Sequence, residues 1–399
     1  MSYDTITTPA ELGDLCRHLA DVDRIGFDTE FVSEDTFYPE LCLIQVATPE
    51  RLAVIDPYQA GDLSPFWTAL ADGNHTTIAH AAREEINFSL KAIERMPAHL
   101  FDTQLAAAFC STEYPASYAS VVTKFLKQKP NKGEQRTDWR RRPLTTAQIN
   151  YALEDVRYLL ELHDVIAKRI ELENRTGWFQ DEIEVWQQEV DQARSRQRWQ
   201  KVSGIGNLPP RALAIVRELW LWRQSEAQQR NLPARRVLRD DLIVELAKRK
   251  SDDPEKIRAI RGMHRGAKGK MVGQLAECIR RGLTADLDNQ KRIARHHMPP
   301  QLNLLGQFLS PALGSICRRA NMATSLVGTA SDVRELIAFR LGFGGAEHRE
   351  APALAQGWRA KLVGNVIDEL LSGKKSIRIE NPRSAHPIEF SDLPDRNES

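Results

Sequence analysis

Ile25-Gly26-Phe27-Asp28-Thr29-Glu30-Phe31 places two carboxylates inside an apolar run. The run reads as a strand, and residues i and i+2 of a strand share a face, so Asp28 and Glu30 point together on either side of Thr29. A carboxylate in apolar surroundings is costly unless something pairs with it, and a hard divalent cation is the natural partner of several clustered carboxylates. Working outward, His80-Ala81-Ala82-Arg83-Glu84-Glu85-Ile86 puts Glu85 at the opening of a helix just after a β-rich run. In Tyr151-Ala152-Leu153-Glu154-Asp155-Val156, Tyr151 and Asp155 stand at i and i+4 on one helical face. Brought together, these residues would surround a pocket able to hold two divalent ions about 3.5–4 Å apart, which stabilises the attacking and leaving oxygens of a phosphoryl displacement. Tyr151, whose phenol titrates ordinarily near pH ~10, is a poor base and is assigned to orienting the attacking water. A lone D-x-E or Tyr–Asp pair is commonplace; it is the constellation that points to a site. His80 is read as packed and satisfied, without a catalytic role, and Asp102 as a hydrogen-bonded structural acid.

At 399 residues the chain has room for two or three domains. Its net charge of +1 conceals a strong segregation. Residues 1–110 carry 6 Lys/Arg against 18 Asp/Glu, a net of −12, whereas residues 191–300 carry 25 against 12, a net of +13. An acidic half beside a basic half fits metals in one place and phosphates in another. The five cysteines (Cys16, Cys42, Cys110, Cys278 and Cys317) form no C-x-x-C pair, which argues against a disulfide framework or zinc site. With no signal-like N-terminus and no apolar run long enough to span a bilayer, the cytoplasm is the expected location.

β-rich runs at 24–31, 41–47, 52–55 and 76–79, the second and third spaced as a hairpin, alternate with helical patterns at 9–20, 64–71, 82–93, 103–108 and 145–172. This order predicts an α/β domain over 1–180, a mixed sheet with flanking helices. A charged helical linker over 181–207 ends at Gly204-Ile205-Gly206-Asn207-Leu208-Pro209-Pro210. Two all-α units are expected at 208–285 and 300–375. The polar, proline-containing segment 376–399 is expected to be disordered.

At the acidic motifs the chain resembles the ribonuclease D family, in the tyrosine branch of the DEDD 3′–5′ exonucleases. Phe27-Asp28-Thr29-Glu30-Phe31 is similar to the family's first motif and Tyr151-Ala152-Leu153-Glu154-Asp155-Val156 to its third. Leu43-Ile44-Gln45-Val46-Ala47, Phe101-Asp102-Thr103-Gln104 and Thr137-Asp138-Trp139-Arg140-Arg141-Arg142-Pro143-Leu144 match as well, so that residues 3–175 resemble it closely. The resemblance implies a ribonuclease H-like domain, two divalent ions (Mg²⁺ or Mn²⁺) on Asp28, Glu30 and Asp155, Tyr151 positioning water, and release of 5′-mononucleotides from RNA 3′ ends. Glu85 departs from the family's second motif, which carries Asp. Its carboxylate lies one methylene, roughly 1.5 Å, further out, so altered activity is expected.

The segment at 208–285, with Leu219-Trp220-Leu221-Trp222-Arg223 and Leu232-Pro233-Ala234-Arg235-Arg236-Val237-Leu238, resembles an HRDC domain. The unit at 300–375 resembles a second, more divergent copy. Lys124, Lys127, Lys129, Lys132, Arg136, Arg140, Arg141 and Arg142, with Tyr118, Phe125 and Trp139 nearby, are expected to line the path of a single-stranded 3′ end. Arg235, Arg236, Arg239, Lys248, Arg249, Lys250, Arg265, Lys268 and Lys270 are candidate phosphate contacts. Trp220 and Trp222 read as core. The expected partner is RNA, tRNA precursors by the family resemblance, with no membrane and no obligate protein partner. The alternatives are a DNA 3′–5′ exonuclease and a catalytically weakened RNA-binding protein.

Overall fold

The computed structural model describes residues 2–130, 137–195, 198–263, 269–286, 300–343 and 351–394. Its first domain is built on six strands: β1 (Asp4–Ile6), β2 (Arg24–Val32), β3 (Glu40–Ala47), β4 (Leu52–Ile55), β5 (Thr76–Ala79) and β6 (Leu100–Asp102). They lie in the order β1-β4-β3-β2-β5-β6. β3 and β4 form the expected hairpin and β2 adds to it antiparallel, while β1 pairs parallel to β4, and β5 and β6 extend the sheet parallel to β2. Thr8, with Glu11 at the third position, closes a capping box on α1 (Pro9–Ala20), satisfying the helix's first free N–H groups. α1, α2 (Ser64–Asp72) and α3 (Arg83–Ile93) are followed by α4 (Thr103–Ala108), α5 (Tyr118–Leu126), α6 (Thr146–Arg157), α7 (Leu159–Leu172) and α8 (Thr176–Ser195).

Several boundaries differ from expectation. The pattern over 145–172 is two helices broken at Tyr158, where the Tyr118 hydroxyl donates to the Glu154 carbonyl at 3.1 Å and accepts the Tyr158 N–H at 3.2 Å. β1 and β6 are three residues each, too short to show an alternation, and exist as partners of β4 and β5. The tail is not wholly disordered as expected: β7 (Lys375–Ile379) and β8 (Ile388–Asp392) form an antiparallel hairpin in which Ile377 faces Phe390, both packed on the main core. Pro382 and Pro387 lie between these strands, so here they accompany a connection, not an unstructured end.

The next helices, α9 (Pro210–Gln229), α10 (Ala234–Val237), α11 (Asp240–Arg249), α12 (Pro254–Arg258) and α13 (Gly269–Thr284), enclose a separate core around Ile215, Leu219, Ile243 and Ile279. Arg223, deep in α9, donates to Asp240 at 2.6 Å and to the Leu238 carbonyl at 2.9 Å, tying α9 to α11. The last helical unit, α14 (Pro300–Arg319), α15 (Thr324–Val327), α16 (Ala330–Arg340), α17 (Gly357–Arg359), a π-helical turn at Ala360–Gly364 and α18 (Asn365–Leu371), behaves differently. Its apolar residues merge with the core of the first domain. Arg359 makes two 2.7 Å hydrogen bonds to Glu182 of α8, and Trp358 stacks on Trp178 at 5.8 Å. Among the described residues no helix is long and apolar enough to cross a membrane.

Gly26 sets how closely α7 approaches the sheet. A Cβ there would lie 3.0 Å from Leu160 Cδ1 and 3.1 Å from Leu159 Cβ, on the strand face that also carries Asp28 and Glu30. Gly26→Val is expected to destabilise the fold by about 1–3 kcal/mol through overpacking. It should also reduce activity by displacing α6 and α7 from β2; a denaturant titration beside a nuclease assay checks both.

Candidate active site

β5 pairs with β2 only over Arg24–Gly26. Residues 28–30 therefore extend past the end of β5, where the start of α3 is packed. α6 packs across β2, β3 and β4. Gly26, Asp28 and Glu30 share the face of β2 on which α7 packs at Gly26, with the ladder shifting register between Glu30 and Phe31. Asp28, Glu30, Glu85 and Asp155 thus come from three elements into one corner, close enough to act on each other electrostatically.

Each of the four carboxyls is held above its ordinary range. Burial is the leading cause for Asp28, followed by the charges of Glu85, Asp155 and Glu30, and its pKa rises well above the usual value. Glu30 rises to about 8, through burial and the charges of Asp155 and Glu85. Asp155 rises to about 7, from burial and neighbouring Glu154. Glu85 also rises to about 7 because it is buried, although the Thr29 hydroxyl, donating to its Oε1 at 2.6 Å, works against the rise. Among the described residues no Lys, Arg or His forms an ion pair with any of the four; nearby Arg157 is engaged by Glu154 at 2.7 Å. Buried and half-buried carboxylates without a basic partner are the donor set a divalent cation prefers. The donor chemistry suits a cation, but among the described residues no group of three or more Asp, Glu, His or Cys side chains is arranged closely enough to hold a metal ion.

Tyr151 lies one turn before Asp155 on α6, its ring 6.2 Å from that of Trp139. Trp139, expected beside a nucleic-acid strand, is buried behind Tyr151. Asp102 holds the other wall: Oδ1 caps α4 by accepting from Gln104 and Leu105, and Oδ2 accepts from Ala82 at 2.8 Å, fixing the start of α3. His80 has both ring nitrogens within hydrogen-bonding reach of partners, Thr103 Oγ1 at 2.9 Å and the Ala116 carbonyl at 3.1 Å. Both residues are structural.

The basic candidates separate. Tyr118, at one end of α5, locks the α6–α7 break, while Phe125, at the other end, lies under Arg169. That is about 16 Å along α7 from Tyr158 at helical rise. Lys124 and Lys127, near that far end, are carried away from Asp155, and Lys127 donates to the Lys124 carbonyl at 3.0 Å. Lys129 is exposed beyond them. Arg142 is a sheet anchor rather than a phosphate contact, bonded to Asp56 at 2.6 Å and to the Cys42 carbonyl at 2.6 Å. Arg140 pairs with Asp138 at 2.8 Å and stands 3.5 Å from Asp35, the carboxylate that also pairs with Arg236 at 2.6 Å. Arg141 is exposed, and Arg235 stands 3.5 Å from Asp240. Arg239 pairs with Asp241 and Arg249 with Glu245, whereas Lys248, Lys250 and Lys270 are exposed. Lys132, Arg136, Arg265 and Lys268 lie outside the described residues. The contributions of Gly26 and Tyr118 were not anticipated; Gly26 could have been found two positions before Asp28 on the same face.

Residues 3–171 match the family model of a 3′–5′ exonuclease and residues 212–279 that of an HRDC domain. The fold and the family model identify the class as a 3′–5′ exonuclease, a hydrolase of phosphodiester bonds. The chain is 32% identical over 402 aligned residues to ribonuclease D of Acidiphilium cryptum, covering 98% of this chain and 97% of the relative. It is 29% identical to that of Bartonella henselae, covering 96% and 92%. The structure matches Escherichia coli RNase D, described as an exoribonuclease involved in structured RNA processing, with a TM-score of 0.79 at 27% identity, covering 94% of this chain and 99% of that one. The chain belongs to the ribonuclease D family and is an exoribonuclease of that type.

The raised carboxyls make the metal-free fold sensitive to alkali. In the folded state they keep protons that the unfolded chain releases near pH ~4. Their contribution to stability is complete below that pH and is lost as pH rises through about 7 to about 8. In EDTA the melting temperature is expected to fall between pH 5 and 8, with a flatter profile in Asp28→Asn. A profile identical in both proteins would contradict this assignment.

Proposed function

We propose that this protein is a metal-dependent 3′–5′ exoribonuclease that removes 5′-mononucleotides from structured RNAs with single-stranded 3′ tails, tRNA precursors among them. The observation that carries the reading is the group of four carboxylates, Glu85 buried and Asp28, Glu30 and Asp155 half-buried, without a basic partner among the described residues, beside Tyr151. Asp28, Glu30, Glu85 and Asp155 would hold two divalent cations, Mg²⁺ or Mn²⁺, which when bound neutralise charge at the scissile phosphate and acidify water. Tyr151 orients the water that attacks the terminal phosphorus. The bond to the preceding 3′ oxygen then breaks, and the last nucleotide leaves as its 5′-monophosphate. Asp102 keeps the start of α3, and with it Glu85, in place.

Glu85 is where this chain differs from its family. The longer side chain is accommodated by turning Oε1 to the Thr29 hydroxyl, which leaves Oε2 as its freer ligand atom. That contact favours a second reading, a weakened catalyst that holds RNA.

Digestion of a 5′-labelled tRNA precursor with a short 3′ extension, in Mg²⁺ and then Mn²⁺, tests the proposal. A ladder shortening from the 3′ end and lost in Asp28→Ala is the expected result. Glu85→Asp is expected to cleave faster, by up to about 10²-fold if carboxylate placement limits the rate. RNA binding without mononucleotide release in either metal would favour the second reading, and equal rates on matched DNA would remove the preference for RNA.

A further inference from the structure

The segment that follows β2 leaves the active site and returns as β3, carrying Phe37 and Tyr38 with ring centroids 5.0 Å apart. It is gripped from the HRDC domain. Asn231, just past α9 and in the left-handed region at φ 46°, accepts the N–H groups of both Phe37 and Tyr38 through Oδ1, each at 3.2 Å. Gln228 of α9 bonds the Tyr38 hydroxyl, and Arg236 pairs with Asp35. Two consecutive backbone donors on one amide oxygen set the loop's position, not merely its proximity.

Between this loop, α3, the end of α8 and α9 lies a cleft of about 870 Å³, within the range of sites that enclose a ligand. Its lining includes Phe37, Tyr38, Asn87, Lys91, Arg198 and Trp220. The Lys91 ammonium stands 4.8 Å from the centre of the Tyr38 ring. Trp220 is half-buried, packing on the HRDC core while also lining the cleft. α3 connects cleft and active site directly: Glu85 turns to Thr29, and Glu84, Asn87 and Lys91 turn to the cleft.

Rings with cations beside them are the chemistry of single-strand binding, in which bases stack without regard to sequence and phosphates find positive charge. We propose, resting on the exoribonuclease reading, that this interdomain cleft binds the unpaired nucleotides upstream of the RNA's 3′-terminal residue. Phe37, Tyr38 and Trp220 offer faces to bases, and Lys91 and Arg198 offer charge to phosphates. The HRDC domain is then a wall of the substrate path, and Asn231 is a positioning residue that acts through the loop.

The test uses the full-length protein with Phe37→Ala, Lys91→Glu and Asn231→Ala. Binding of labelled dinucleotide and octanucleotide RNA is followed by fluorescence anisotropy in EDTA, and hydrolysis of both is followed in Mg²⁺ or Mn²⁺. Phe37→Ala and Lys91→Glu are each expected to weaken octanucleotide binding by about tenfold while changing dinucleotide hydrolysis by less than about twofold. Asn231→Ala should give the same length-dependent loss. Lys91 is exposed, so its substitution separates lost binding from lost folding, and melting curves check all three proteins. Unchanged octanucleotide binding would overturn the proposal, and so would equal losses on both lengths. A wild type that hydrolyses neither RNA would remove the exoribonuclease reading, while the binding measurements would still judge the cleft.

Discussion

Four carboxyl groups withdrawn from water into one corner, Glu85 buried and Asp28, Glu30 and Asp155 half-buried, are the constraint around which the first domain's candidate site is organised. Burial raises the pKa values of Asp28, Glu30, Glu85 and Asp155, neighbouring members of the group add to the rise at Asp28 and Glu30, and nothing basic among the described residues offsets them. Such a corner must be held by contacts made elsewhere. Gly26 lets α7 lie against β2, Tyr118 fixes the break between α6 and α7, and Asp102 ties the start of α3 to α4. Each contact is apolar packing or a neutral-donor hydrogen bond, so none introduces a positive charge that would compete with a cation for the carboxylates. The scaffold therefore keeps the site empty of protein counter-ions as well as in position.

The two helical units contribute in unlike ways. The last one merges its apolar residues with the core of the first domain and is locked through Glu182, Arg359 and the Trp178–Trp358 stack. The HRDC domain keeps its own core and meets the first domain through polar contacts at Asp35, Phe37 and Tyr38. A polar contact of this kind adds little stability but defines geometry. It lies on the loop that continues the catalytic strand, which makes the HRDC domain part of the surroundings of the site.

Much of the site was legible because strand and helix periodicities are local. The i, i+2 spacing of Asp28 and Glu30 and the i, i+4 spacing of Tyr151 and Asp155 state which residues share a face before any tertiary contact is known. The antiparallel β3–β4 pair and the HRDC core were legible for the same reason. Which basic residues are engaged by a carboxylate of the same chain was not legible, because a charge on the surface leaves no periodic trace of its partner. Arg142 looks like Arg140 and Arg141 in sequence, yet it pairs with Asp56, while Lys124 lies toward the end of α5 away from Tyr118. The β7–β8 hairpin was hidden in the same way: two five-residue strands interrupted by prolines have too little pattern of their own and exist because Ile377 and Phe390 find the core.

The class of fold and the candidate carboxylates could be read from the chain alone, because they follow from local periodicity, and the family because its motifs are carried on single elements. Only the tertiary structure decided that Glu85 turns one oxygen to Thr29, that Asp35 is shared between Arg140 and Arg236, and that Asn231 holds a loop 193 residues before it. These are contacts between side chains distant along the chain. Their existence depends on distances of an ångström or two, which are set by the packing of whole helices against a sheet rather than by the residues on either side of them.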